Sequence, residues 1–147
     1  MDRFDVAKQM IQRAGEVLRQ CHLEHTEISQ KTGHQDLVTF WDRKIERQLR
    51  QSILTAFPED SIVGEEYPSE KNCGGRVTWY LDPIDGTTNF INQHRNYAVS
   101  VGCWEGATPC FGMVLDVERQ ELYWARYGAG AWLNQSPIHV SQCRKVE

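Results

Sequence analysis

The chain of 147 residues is long enough for one domain with a substantial core, and its 40% hydrophobic and 24% charged residues argue against a disordered or fibrous protein. A formal net charge of −4 and the lack of any run of lysines and arginines argue against a nucleic-acid partner. The apolar runs are too short to cross a bilayer and the N-terminus has no signal-peptide pattern, so we expect a cytoplasmic protein without a membrane partner.

Two amphipathic helices are predicted at the start of the chain. From Phe4 onward, apolar residues recur at alternating steps of three and four, which predicts a helix over residues 3–23. The stretch GHQDLVT interrupts this pattern. Thr39 and Asp42 then form an acidic variant of a capping box, and apolar residues follow at steps of four, so a second helix is predicted to run to about Ala56.

The rest of the chain consists of segments whose residue patterns are typical of β-strands. The segments SIVGEE, VTWYLD, YAVSVGCWE, CFGMVLDVE and ELYWARY are short, rich in β-branched and aromatic residues, and separated by Gly, Pro and Asn. GAGAWLN is interpreted as a glycine-rich turn, followed by the strand-like PIHVS. Short connections predict antiparallel neighbours, so we expect one α+β domain over residues 1–147, with two N-terminal helices on one face of a mostly antiparallel sheet.

The stretch LDPIDGTTNF, residues 81–90, suits neither a helix nor a strand. Asp82 ends an apolar strand, and Pro83 cannot donate a ladder hydrogen bond, so we expect strand pairing to stop there. Asp85 lies across the turn, where its carboxylate can converge with that of Asp82. Because two nearby carboxylates repel, a divalent cation is expected between them; Mg²⁺ fits, and the carbonyl of Ile84 could add a further oxygen.

A second acidic pair, Glu65 and Glu66, ends the strand SIVGEE. If this strand lies beside VTWYLD, the acidic ends meet at one edge of the sheet and gather Glu65, Asp82 and Asp85 around metal. Each pair taken alone has an ordinary explanation, a solvated turn or surface charges. Their joint occurrence after two separate strands favours a metal site.

The residues that flank the acidic pairs suggest phosphate chemistry. If Gly86, Thr87 and Thr88 open a short helix, their free amides face the metal and form an anion site. Asp36 lies just before the second helix and is a third carboxylate candidate. A carboxylate bonded to the hydroxyl of Thr87 could orient a metal-bound water, whose pKa the cation lowers. The residues therefore predict metal-assisted phosphate hydrolysis.

Four segments, DLVTFWD, IVGEE, WYLDPIDGTTNF and ARYGAGAWLN, resemble the inositol monophosphatase family in order and spacing. The likeness runs from the first helix to Glu147 and implies the N-terminal half of a layered αβαβα sugar-phosphatase fold. It also implies roles for individual residues: metal ligation by Glu65, Asp82, the carbonyl of Ile84 and Asp85, support of these ligands by Glu66, positioning of the nucleophilic water by Asp36 and Thr87, and phosphate binding by the amides of Gly86 and Thr87.

The resemblance implies a magnesium-dependent phosphoric monoester hydrolase that acts on a small phosphomonoester such as inositol monophosphate. Relatives that act on 3′-phosphoadenosine 5′-phosphate or fructose 1,6-bisphosphate share the D-P-x-D-G-[ST] core, and the TTNF that follows it favours the inositol monophosphatase branch. That branch includes phosphatases for histidinol phosphate and other small esters.

Members of the family continue into a second α/β domain, in which a Trp-Asp motif supplies another metal ligand. The 147-residue chain lacks that part, so we expect impaired turnover, and a homodimer or a completing C-terminal half as partner. A non-catalytic dimerisation or regulatory module is the alternative, because the surface left uncovered would seek partners. A metal-binding protein without phosphate chemistry is a third hypothesis.

Overall fold

The computed structural model describes residues 1–25, 34–71 and 75–142, without the side chains of 22–25 and 34–39. Helices and strands follow one another in the order α1 (Arg3–His25), α2 (His34–Ala56), β1 (Ser61–Gly64), β2 (Val77–Asp85), α3 (Thr87–Gln93), β3 (Ala98–Glu105), β4 (Thr108–Asp116), β5 (Glu121–Arg126), β6 (Gly130–Leu133) and β7 (Ser136–Ile138).

The strands form one seven-stranded sheet in which the spatial order equals the order in the sequence. β1 and β2 are parallel, and every later neighbour is antiparallel. The α+β class and the mostly antiparallel sheet predicted from the sequence are thereby confirmed. The parallel pair is made possible by the long segment between β1 and β2, whereas the later strands are joined by short turns.

The two long helices pack on each other and on one face of the sheet. Their apolar stripes are fully buried, and β2 contributes Trp79, which has no exposed surface. A Cβ atom on Gly15 of α1 would lie 2.5 Å from a methyl carbon of Leu115 on β4, so the helix lies very close to the sheet at this point. The core therefore lies between the helix layer and one sheet face.

The opposite face of the sheet is open in the described part of the chain. Side chains alternate along a strand, so Trp79 points into the core while its neighbour Tyr80 is 48% exposed. The same face exposes Val114 and Tyr123. Several exposed apolar side chains on one face of a sheet are typical of a surface that another element or chain covers.

Two predicted boundaries are wrong. The second helix begins at His34, five residues before the predicted cap at Thr39, so Asp36 lies in its first turn and not in a preceding loop. β2 does not end at Pro83: Asp82 pairs with Ser100, and pairing resumes at Asp85 with Ala98. Three steps on β2 face two steps on β3, which is a β-bulge, and a bulge accommodates a proline because one residue there is left unpaired.

The segment GAGAWLN also differs from its prediction as a turn, because its later part forms β6 and pairs with β5. Gly130, the first residue of β6, has φ 74, a conformation that glycine adopts without strain. The glycines therefore shape the entrance to a strand.

None of the helices in the described part of the chain combines the length and the apolar character needed to cross a bilayer.

Candidate metal and phosphate site

The acidic ends of β1 and β2 meet at one edge of the sheet. Gly64, the last residue of β1, pairs with Leu81. The residues that follow these two, Glu65 and Asp82, are therefore neighbours. Parallel pairing is the cause, because it places the carboxyl ends of both strands at the same edge. The juxtaposition expected from the sequence is present in the structure.

Among the predicted metal ligands, Asp82 has a raised pKa and a buried carboxylate oxygen. Its side chain is half-buried, and burial, followed by the charges of Glu65 and Asp85, raises its pKa to about 6. Its Oδ1 atom is buried and accepts no hydrogen bond from the described residues. A buried carboxylate oxygen without a donor is costly unless a cation or a proton completes it. This atom therefore marks the position that best fits a metal ion.

Asp42 on α2 belongs to the same cluster, although the sequence interpretation treated it only as a helix cap. It is 4% exposed, and burial, followed by the charges of Glu66, Glu65 and Asp82, raises its pKa to about 7. Asp42 lies three residues before Ile45, on the apolar stripe of α2, and a carboxylate on a buried face is rare without a partner. That position on the stripe was the available signal for a functional residue.

The other carboxylates predicted for the site, those of Asp36, Asp85, Glu65 and Glu66, differ in their exposure and in whether their side chains are described. Asp36 lies in α2, but its side chain is outside the described residues, so its proposed role in water positioning stays a prediction. Asp85 and Glu65 are exposed at the sheet edge. Burial, followed by the charges of Glu65 and Glu46, raises the pKa of Glu66 above its usual range.

The bulge of β2 leads directly into α3. The hydroxyl of Thr87 donates a hydrogen bond of 3.0 Å to the carbonyl of Ile84, which the sequence interpretation assigned to the metal. This bond orients both groups, and a carbonyl oxygen has a second lone pair that remains for another partner. The hydroxyl of Thr87 is thus bonded to a carbonyl, whereas a carboxylate partner was expected.

Gly86 makes the turn from β2 into α3. Its φ of 86 lies in the left-handed region, and it occupies the N-cap position, from which no side chain bonds to the helix amides. The first amides of a helix lack carbonyl partners within the helix, so those that begin at Thr87 are available to an anion. Asp85 directly precedes Gly86 in the sequence.

We expect Gly86→Ala to lower the free energy of unfolding by about 1–2 kcal/mol, because a side chain is strained in the left-handed region. The added Cβ would also lie 3.0 Å from the carbonyl oxygen of Asn96. Gly112→Ala is the matched control, since nothing lies within 4 Å of its added Cβ and its φ is not positive. Urea denaturation of both variants measures the effect, and equal midpoints would contradict it.

The donors at the sheet edge suit a hard divalent cation, because they are carboxylate and carbonyl oxygens. Within residues 1–25, 34–71 and 75–142, no three His, Cys, Asp or Glu side chains converge as a ready metal site. The mutual effects on pKa show that Asp42, Asp82 and Glu65 nevertheless lie close enough to repel one another. With its unpartnered Asp82 oxygen, the cluster fits a cation that would neutralise it.

Comparison with known proteins identifies relatives of this chain. The sequence model of the inositol monophosphatase family matches residues 2–147. The chain is 38% identical over 135 residues to an inositol-1-monophosphatase of Bacillus subtilis, covering 91% of this chain and 51% of that protein. It is 36% identical over 139 residues to a fructose-1,6-bisphosphatase/inositol-1-monophosphatase of Aquifex aeolicus, covering 93% of this chain and 52% of that protein.

The crystal structure of inositol monophosphatase II from Staphylococcus aureus has the same fold, with a TM-score of 0.79 and 33% identity over 92% of this chain and 50% of that one. The chain therefore spans about half the length of the relatives that it matches.

Proposed function

Because this chain belongs to the inositol monophosphatase family, we propose that its sheet edge binds Mg²⁺ and takes part in the hydrolysis of a small phosphomonoester. The observation that carries the proposal is the position of Glu65 beside Asp82, both close enough to Asp42 to raise its pKa, with one buried oxygen of Asp82 unpartnered among the described residues. Carboxylates that repel one another next to an anion site are the two halves of a metal–phosphate site.

Four groups would hold the metal: the carboxylates of Glu65, Asp82 and Asp85 and the carbonyl of Ile84. When bound, Mg²⁺ supplies positive charge that stabilises the negative charge of the phosphoryl group and lowers the pKa of a bound water. Glu66 follows Glu65 directly and contributes negative charge to the same region.

The chain's own residues would orient the substrate and handle a proton. The amides of Gly86 and Thr87 would donate hydrogen bonds to phosphate oxygens, and the left-handed backbone at Gly86 holds these amides at the helix start. A carboxylate with a pKa near neutrality can accept a proton from water, and Asp42 has such a pKa. Asp36 and Thr87 remain the residues that the family resemblance assigns to water positioning.

The names of the relatives indicate the class of substrate. One is named for inositol monophosphate alone, and another also for fructose 1,6-bisphosphate. Both compounds are phosphate esters of a polyhydroxylated ring or sugar, so we propose a polyol phosphate for this chain, with inositol monophosphate as the first compound to test. Since the chain matches about half of each relative, we expect the 147-residue protein by itself to turn over slowly.

The open sheet face supports a second candidate function, an interaction module that associates through Tyr80, Val114 and Tyr123. In that case the acidic edge would be retained without catalysis. Metal-dependent release of phosphate separates the two candidates, because an interaction surface on the open face does not require catalysis.

Isothermal titration of the 147-residue chain with Mg²⁺, alone and with inorganic phosphate, tests the proposal. We expect the wild-type chain to bind Mg²⁺, to bind phosphate more tightly once Mg²⁺ is present, and to release phosphate from inositol monophosphate only without EDTA. Asp85→Asn should weaken metal and phosphate binding together by about 10-fold or more, since a charged ligand is lost.

Loss of metal with phosphate binding intact would contradict the shared site. A chain that binds no Mg²⁺ but self-associates in sedimentation would favour the interaction module instead.

A further inference from the structure

Glu46 is fully buried on α2, one turn after Asp42, and it has no part in the roles proposed above. Its Oε2 accepts a hydrogen bond of 2.7 Å from the backbone N–H of Glu66, and its Oε1 accepts one of 3.3 Å from the N–H of Tyr67. Both donors lie in the segment that follows β1. A helix side chain therefore holds the backbone immediately after Glu65.

The same carboxylate also lies against the residue before Glu65. A Cβ added to Gly64 would clash with Oε1 of Glu46, so a glycine is needed to admit the carboxylate at this position. Glu46 thus contacts the chain on both sides of Glu65, through close packing at Gly64 and hydrogen bonds after it. The side chain of Glu65 is itself exposed, so its direction depends on the backbone that carries it.

Arg50 completes the arrangement from the next turn of α2. Its Nε donates to Oε1 of Glu46 at 2.8 Å, and its Nη2 donates to the carbonyl of Tyr67 at 3.2 Å. The guanidinium also lies 5.7 Å from the centre of the Tyr67 ring and 3.4 Å from a carboxylate oxygen of Glu70. A buried charge is tolerated when it is paired and hydrogen-bonded, and Arg50 provides both for Glu46.

We infer that the Glu46–Arg50 pair is a positioning device for the metal site: it fixes the backbone of residues 64–67 so that Glu65 faces Asp82. This inference rests on the proposed function, because it concerns the direction of a proposed metal ligand. Groups that orient a ligand from behind contribute to metal affinity although they never touch the ion. Glu46 is therefore a positioning residue and Gly64 is the residue that makes room for it.

A purely structural role would also explain a buried ion pair, so the test needs a control that breaks a comparable pair elsewhere. Asp60 provides it, at the opposite end of β1. Its buried carboxylate accepts hydrogen bonds from Arg3 Nε at 2.7 Å and Nη2 at 2.8 Å, and from Trp79 Nε1 at 2.8 Å. Asp60→Asn and Glu46→Gln both change one buried carboxylate into an amide.

Glu46→Gln keeps the shape of the side chain and one acceptor oxygen. Its amide nitrogen must face either the N–H of Glu66, at the position of Oε2, or Arg50 and the N–H of Tyr67, at the position of Oε1, so one donor always meets another donor. We expect the amides of Glu66 and Tyr67 to exchange with deuterium at least about 10-fold faster than in the wild-type chain, and Mg²⁺ affinity to fall by about 10-fold to 100-fold.

Asp60→Asn should lower the melting temperature without changing either quantity. Arg50→Lys is the second variant if Glu46→Gln does not fold, since a lysine keeps the charge but cannot reach Glu46 and Tyr67 with a planar fork. It should show the same two effects in weaker form.

Each outcome of the experiment decides between the two roles. Unchanged amide exchange in both Glu46→Gln and Arg50→Lys would overturn the inference, and so would unchanged Mg²⁺ affinity in variants whose amides exchange faster. Equal loss of Mg²⁺ affinity in Asp60→Asn would reduce Glu46 to a general stabilising role. A wild-type chain that binds no Mg²⁺ contradicts the proposed function, whereas a failure confined to the variants contradicts the inference alone.

Discussion

Asp42→Asn is expected to raise the free energy of unfolding by about 2 kcal/mol at about pH 8 in metal-free buffer, and to weaken Mg²⁺ binding at the same time. The carboxylate is buried beside Glu65, Glu66 and Asp82, so its charge is unfavourable in the folded state when no cation is present. An amide removes that charge and can donate hydrogen bonds to the neighbouring carboxylates. The same substitution removes a negative group from the proposed metal site.

The stabilisation should depend on pH in a defined direction. The pKa of Asp42 is about 7 in the folded chain, against an ordinary value of 3.8. Below the ordinary value the carboxyl is protonated in both states, so the full stability is present there. It is lost progressively as pH rises from the ordinary value to the folded pKa of about 7, because over that range the carboxyl is ionised in the unfolded chain and still protonated in the folded one. The asparagine variant should lack this loss, and the two stabilities should converge in acid.

Urea denaturation of both chains across this pH range, with EDTA and with Mg²⁺, measures the effect. Mg²⁺ should stabilise the wild-type chain more than the variant, since a ligand that binds only the folded state stabilises it by mass action. Asp5→Asn on α1 is the control, because Asp5 is exposed and lies on another element. A variant that is less stable than the wild-type chain in alkaline EDTA would contradict the expectation.

Asp82→Asn is expected to lower the affinity for Mg²⁺ by about 100-fold and to reduce metal-dependent hydrolysis by a similar factor. Asp82 is half-buried at the sheet edge, and burial, followed by the charges of Glu65 and Asp85, raises its pKa. Its buried Oδ1 has no hydrogen-bond donor among the described residues, and a cation would supply the positive charge that this oxygen lacks. An asparagine keeps a carbonyl oxygen there but removes the charge that a hard cation needs.

Calorimetric titration with Mg²⁺ measures this affinity, and phosphate release from inositol monophosphate measures the hydrolysis. The variant should still fold, because the substitution removes charge repulsion among the carboxylates and leaves the side-chain volume almost unchanged. Its melting temperature in EDTA serves as the internal control. Wild-type affinity for Mg²⁺ in a folded variant would show that the cation, if bound, lies elsewhere.

Several parts of the fold could be predicted from local pattern alone. The apolar stripe of α1 predicted that helix to within two residues of its observed end at His25. The strand segments were recognisable because β-branched and aromatic residues alternate with polar ones and are bounded by turn residues. The same local pattern placed Asp82 near a strand end with Asp85 three residues further on, and this pair of carboxylates suggested metal chemistry.

Other parts depend on contacts between distant residues and could not be read locally. Thr39 and Asp42 resemble a cap, yet α2 begins at His34 and places Asp42 about two turns inside the helix. Pro83 predicts the end of a strand, but pairing with β3 on the far side of the bulge continues the strand to Asp85. In both cases packing against the rest of the chain outweighed the local preference.

The sequence by itself determined the fold class, the position of the acidic stretch and the family to which the chain belongs, because periodicity and a specific motif are properties of neighbouring residues. Only the tertiary structure decided which side chains meet: parallel pairing of β1 with β2 brought Glu65 to Asp82, and the packing of α2 added Asp42 and the Glu46–Arg50 pair. Burial and proximity arise from contacts between segments far apart in the chain, so they become definite only when the chain is folded.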